Sequence, residues 1–213
     1  MKVVLRIFLY IIFAPIIGLF LLIKKYGNKA YKLEKGTVIV ANHYSDWDAF
    51  LIYLLYGFKN KLYFFTADRV KKNLFTKIFC AAFNCLYVSN DPVKNISLLK
   101  NSIKLLKDGG IIVIFPEGAI NDTKSGFFMF NDSFAFLAKK ANANILPLFI
   151  YPYIRPFKKN LVYIGDVFNK EKVNSYDDMI ILSMAVQARI MDYSVFIEEE
   201  RNKKKNKKEK TSN

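Results

Sequence analysis

This chain is poor in the residues that most often carry chemistry. It holds one histidine, two cysteines and one tryptophan in 213 residues. Cys80 and Cys85 supply neither a disulfide framework nor a zinc quartet, and they fit a reduced compartment. One histidine and scattered carboxylates make no clustered donor set, so no metal is expected. Any imidazole chemistry falls to His43. Acidic residues are scarce as well, 18 against 33 Lys and Arg, for a formal charge of +15. Mean hydropathy of +0.13 leaves room for few spans of about 20 apolar residues, which excludes a polytopic transporter. What the chain has in quantity is apolar surface: 53% of it is hydrophobic, with 20 Phe and 13 Tyr. So apolar a chain does not stay solvated and unfolded, and its length suits one α/β domain or at most two small ones.

The positive charge sits at the ends. Residues 1–36 hold seven basic residues and one acidic, and residues 201–213 hold seven and one again. The remainder, 37–200, is nearly balanced at nineteen against sixteen. Basic ends suit nucleic acid or an anionic membrane surface. No groove-reading motif is evident and no basic patch points to nucleic acid, so no nucleic-acid partner is expected. The tail 201–213 lacks aromatics and periodicity and reads as a disordered, solubilising extension or a contact to anionic lipid.

Residues 7–23 carry no charge. A helix of that length reaches roughly 25 Å, short of the ~30 Å hydrocarbon core, and Arg6 can snorkel to the headgroups. Apolar residues cover every face, unlike a soluble amphipathic helix. Pro15 and Gly18 invite a kink or a re-entrant bend. No small-x-small cleavage site follows, and Lys24, Lys25, Lys29 and Lys32 come next, so the segment reads as a retained anchor, spanning or monotopic. Those lysines outnumber Lys2 and Arg6, which puts the following domain on the cytoplasmic face.

Beyond residue 36 strands alternate with helices. Strands are expected at 37–41, 62–65, 86–88, 111–115, 145–150 and 161–164 from β-branched and apolar runs. Helices are expected at 47–56, 74–83, 132–140 and 177–198, and around Ile96, Leu99, Ile103 and Leu106, which recur at helical spacing before Gly109-Gly110. The pattern predicts an α/β fold: a mixed or mostly parallel β-sheet flanked by helices, with an N-terminal membrane-inserted helical segment.

Two short blocks follow buried strands. Asn42-His43-Tyr44-Ser45-Asp46-Trp47-Asp48 comes directly after Thr-Val-Ile-Val-Ala. On one continuous helix His43 and Asp48 would not share a face, but with His43 on the strand-end turn and Asp48 in the first helical turn they can meet. A carboxylate holding an imidazole N–H fixes its tautomer and stabilises the imidazolium, as a general base requires. The competing reading is that Asp46 and Asp48 serve the helix N-terminus. The second block, Phe115-Pro116-Glu117-Gly118, follows Ile-Ile-Val-Ile. Glu117 starts partly desolvated and needs a partner, while Gly118 lets backbone approach a ligand; a turn with a solvated glutamate is the alternative.

The two blocks together resemble the glycerolipid acyltransferase family, which includes the 1-acylglycerol-3-phosphate acyltransferases. His43 and Asp48 match its His-x4-Asp block, and Phe115 to Gly118 match the start of its Phe-Pro-Glu-Gly-Thr-Arg block. Ile-Leu-Pro-Leu-Phe-Ile (145–150) and Tyr-Ile-Gly-Asp-Val-Phe (163–168) resemble its later blocks, so the likeness runs from about Lys35 to Phe168. On this basis residues 1–36 form the membrane anchor and its basic flank, 37–200 the acyltransferase domain and 201–213 the tail. The family's usual Thr-Arg is Ala119-Ile120 here, and Asn90-Asp91 stand where another arginine is usual. Those arginines are the family's contacts to the acceptor phosphate, and Ile does not replace a guanidinium fork. Arg69, Lys71 and Lys72 are the nearest substitutes, unless they are only a solvated cationic helix start.

The resemblance implies transfer of an acyl group from acyl-CoA or acyl carrier protein to the hydroxyl of a lysophospholipid, in phospholipid biosynthesis at a membrane. His43 would act as base, Asp48 would orient it, and Glu117 and Gly118, with Phe115 and Pro116, would position the acceptor. No cofactor and no protein nucleophile are expected. Residues 127–130, Phe-Phe-Met-Phe, line an acyl path, touch the bilayer or pack in the core. The alternatives are a thioester hydrolase using the same His–Asp pair and a catalytically degenerate membrane tether.

Overall fold

The computed structural model describes residues 18, 21–57, 59–68, 80, 83–123 and 126–211. In chain order these form β1 (Ile23–Gly27), β2 (Thr37–Ala41), α1 (Trp47–Ile52), a turn of π-helix (Tyr53–Gly57), β3 (Leu62–Ala67) and β4 (Cys85–Val88). There follow α2 (Pro92–Lys107), β5 (Ile111–Ile114), α3 (Ser133–Ala141), β6 (Asn144–Ile150), β7 (Asn160–Ile164), α4 (Lys170–Asn174) and α5 (Met179–Thr211). The seven strands make one sheet in the order β1-β7-β6-β2-β5-β3-β4. Strands β2 to β6 are parallel; β7 is antiparallel to β6, and β1 runs parallel to β7. This is the mostly parallel, helix-flanked α/β fold that the sequence predicts.

Both faces of the sheet are covered, which is why its central strands are unbroken apolar runs. Val38, Val40, Ile112 and Ile114 face Phe134 and Leu137 of α3 and Leu182, Val186 and Ile190 of α5. Ile39, Ala41, Ile111 and Val113 face Leu51 and Ile52 of α1 and Leu21. Helix α2 starts where Asp91 accepts the Val93 N–H at 2.9 Å and ends at Gly109, whose φ of +85° is reached cheaply only by glycine. Asp91, which with Asn90 stands where the resemblance leads one to expect an arginine, caps this helix.

Two expectations change. The boundary at residue 36 does not divide the fold: β1 lies before it, pairs with β7 along its whole length and carries the buried Tyr26. The apolar stretch 7–23 and the helix expected at 74–83 lie largely outside the described residues. The tail continues α5 to Thr211 where disorder was expected. Pairs three residues apart support it, Arg201 to Glu198 at 3.0 Å and Lys203 to Glu200 at 3.5 Å, and Lys204 donates to the Tyr26 hydroxyl at 2.8 Å. Within α5, the stretch Met179–Lys207 is long and apolar enough to cross a membrane by length and composition alone. Its inner face, Leu182, Val186, Ile190 and Ile197, is buried on the sheet like that of any core helix.

Candidate active site

Strands β2 and β5 are parallel neighbours, so the blocks that follow them leave the sheet side by side, beyond the carboxyl ends where open α/β sheets hold ligands. Asn42 fixes the start of the first block. Its side chain exchanges two 2.8 Å hydrogen bonds with the backbone of Ile150, donating to the carbonyl and accepting from the N–H. The chain then turns at His43 and enters α1.

His43 Nδ1 lies 3.0 Å from Asp48 Oδ2. The same oxygen accepts the backbone N–H groups of Tyr44 at 2.7 Å and Ser45 at 2.8 Å. The carboxylate thus both grips the imidazole and ties down the turn that leads into α1, whereas Asp46, at the N-cap, makes no side-chain capping bond. Burial is complete and raises the Asp48 pKa above the usual carboxylate range, and the imidazole and the two amides oppose that shift. Its other oxygen, Oδ1, is buried without a hydrogen-bond partner among the described residues. The carboxylate only accepts, so Nδ1 carries the proton and Nε2 is left as the basic nitrogen. Phe115 stacks on the imidazole with ring centroids 4.2 Å apart and planes 16° apart, which fixes the ring from the other block.

Glu117 ties the blocks together. One of its oxygens accepts the His43 N–H at 2.8 Å and the other the Phe128 N–H at 2.9 Å. Burial raises its pKa, and the two amides and Asn121 hold the shift back. With one backbone N–H on each oxygen, Glu117 braces the His43 turn against the loop at 126–130. Asn121 adds a parallel link, its N–H donating to the His43 carbonyl at 2.7 Å, and the Tyr44 hydroxyl donates to the Gly126 carbonyl at 2.6 Å. Burial and the nearby carboxylates push the Tyr44 phenol up, so it remains a donor. Gly118, at φ +71°, turns the chain outward with open space where a Cβ would lie.

The structure therefore brings together His43, Asp48, Phe115, Pro116, Glu117 and Gly118. Pro116 is buried, and its carbonyl accepts the Asn131 N–H at 3.0 Å. Arg69, Lys71 and Lys72 lie outside the described residues. Ala119 and Ile120 are exposed beside the site, at the positions of the missing Thr-Arg. Asn42, Tyr44 and Asn121 support the site without having been singled out from sequence. A buried polar residue at a strand end demands a partner, and that was the signal for Asn42. Burial pushes the Cys85 thiol up to about 12, which disfavours the thiolate.

Residues 22–151, which run from the approach to β1 to the end of β6 and contain both blocks, match the acyltransferase family model. The chain belongs to the acyltransferase family. It is similar to a 1-acyl-sn-glycerol-3-phosphate acyltransferase of Borreliella burgdorferi, 22% identical over 161 residues, an alignment that covers 74% of this chain and 62% of that protein. This chain thus spans less than two thirds of the relative's length. Its fold is similar to the crystal structure of the 1-acyl-sn-glycerophosphate (LPA) acyltransferase PlsC from Thermotoga maritima, with a TM-score of 0.65 and 19% identity, covering 84% of this chain and 73% of that one.

Proposed function

We propose that this protein moves a fatty acyl group from a CoA or carrier-protein thioester to the hydroxyl of a lysophospholipid, 1-acylglycerol-3-phosphate, on the cytoplasmic face of a membrane. The observation that carries the reading is the His43–Asp48 pair, held so that only Nε2 is left to take a proton. The acceptor hydroxyl gives its proton to Nε2 as its oxygen attacks the thioester carbonyl. A C–O bond forms, the C–S bond breaks, and the imidazolium returns the proton to the leaving thiolate. Asp48 steadies the imidazolium between the two transfers. The names of the similar proteins support the choice of acceptor. In this proposal the acceptor phosphate falls to Arg69, Lys71 and Lys72. They follow β3, a parallel strand whose carboxyl end lies on the same rim as His43.

The test is acyl transfer by the full chain from CoA and carrier-protein donors onto lysolipids that differ only in headgroup. Phosphate-bearing acceptors should react, and His43→Ala should lower turnover at least ~10²-fold with the circular dichroism unchanged. Normal turnover in that variant would sink the mechanism. Free fatty acid in place of acylated lipid would make the protein a hydrolase.

A further inference from the structure

The loop between β6 and β7 takes no part in the chemistry above. Its sequence over residues 151–159, Tyr-Pro-Tyr-Ile-Arg-Pro-Phe-Lys-Lys, mixes aromatic and basic side chains and has no acidic residue. Tyr153 and Phe157 are 51% and 66% exposed, and Arg155, Lys158 and Lys159 are exposed with them. The backbone that presents both aromatics is left-handed, φ +70° at Tyr153 and +56° at Phe157, an uncommon conformation for bulky residues.

The loop is built rather than loose. Buried Asn160 accepts the Arg155 N–H at 2.8 Å and donates to the carbonyls of Arg155 and Lys158 at 3.2 and 3.1 Å. The Asn160 N–H donates to the Leu22 carbonyl at 2.7 Å, at the point where the chain passes from its apolar stretch into β1. At the loop's other end Ile150 is held by Asn42, the neighbour of His43. The guanidinium of Arg201, from α5 and paired with Glu198 at 3.0 Å, lies 4.3 Å from the Tyr151 ring centroid at the base of the loop.

We propose that this loop docks the protein on an anionic lipid bilayer, with Tyr153 and Phe157 at headgroup depth and Arg155, Lys158 and Lys159 against lipid phosphates. Three observations favour lipid as the occupant: three exposed cations in a loop with no acidic residue, aromatics of the kind that prefer the membrane interface, and continuity with the apolar stretch at Leu22. The inference rests on the membrane acyltransferase reading and adds the surface by which the catalytic rim meets its lipid.

The experiment uses the full chain carrying an environment-sensitive fluorophore at Phe157→Cys or, as the remote control, at Lys107→Cys. Lys107 ends α2 beside the start of β5, at the opposite end of the parallel strands. The unsubstituted chain, whose cysteines are buried or half-buried, gives the labelling background. Vesicles of phosphatidylcholine, with or without phosphatidylglycerol, carry spin-labelled lipid as quencher. The Phe157 probe should shift to the blue and be quenched on phosphatidylglycerol vesicles, and the Lys107 probe should not change. Arg155→Ser, Lys158→Ser and Lys159→Ser combined should weaken sedimentation with those vesicles on the order of tenfold or more. Equal quenching at both probes on vesicles that bind the protein overturns the proposal. So does absence of vesicle binding, or protection of the Phe157 probe by an acidic carrier protein alone. No acyl donor is present, so docking without activity would count against the proposed reaction and not against this surface.

Discussion

One oxygen of Asp48 receives an imidazole and two amides, whereas Glu117 divides its two oxygens between two loops. The two carboxylates therefore hold different parts of His43, Asp48 its imidazole and Glu117 its backbone, and on the proposed mechanism one orients the base and the other sets where it stands. Glu117→Gln keeps the size but turns an amide NH2 toward a backbone N–H, so one brace is lost. The expected outcome is a fall in kcat on the order of 10²-fold with the acceptor KM little changed, because the His43 turn shifts while the acceptor site does not. A raised KM with normal kcat would instead make Glu117 a headgroup ligand. Steady-state kinetics on the purified variant distinguishes them. The His-x4-Asp block was legible because its spacing, read across a strand-to-helix turn, brings two side chains together. The role of Glu117 was not legible: its partners are a backbone amide 74 positions before it and another eleven after it, and backbone donors leave no residue signature.

At the scale of elements, the central strands could be read from composition, since a parallel strand buried on both faces must be a continuous apolar run. Strand β1 could not. Its sequence, Ile-Lys-Lys-Tyr-Gly, is that of a half-exposed edge strand, and an adjoining apolar stretch masked it as the flank of an anchor. The continuation of the C-terminal helix past residue 198 was missed for a related reason: a lysine-rich run looks solvated, yet lysine favours helix well enough to extend one already anchored by packing. The position of β1 makes a prediction. A chain beginning at residue 37 should be less stable than one beginning at residue 21 by about 3 kcal/mol or more, from lost burial of Leu21 and Tyr26 alone. Urea denaturation of the two truncations measures it; equal midpoints would show that β1 contributes nothing to the sheet.

For the whole molecule, acid should silence the site before it unfolds the chain. Burial raises the pKa of both Asp48 and Glu117. A carboxyl raised in this way contributes stability that is fully present below its unfolded pKa and lost as pH rises through its folded pKa. Lowering pH from neutrality thus adds no unfolding drive through these two groups, but it removes the anion that orients His43. The expected outcome is a reversible fall of kcat/KM that begins above the ordinary carboxylate range while circular dichroism holds steady; coincident loss of both would contradict it. The direction of β7 and β1 has a consequence of another kind. Were all seven strands parallel, the chain would join β1 at the far end of the sheet, about 17 Å from the catalytic rim for a five-residue strand. The reversal at β6–β7 brings Leu22, the aromatic loop and His43 to one side. On the proposed reading, the acceptor then finds its base by diffusing in two dimensions, within its own monolayer, and never has to cross water to be acylated.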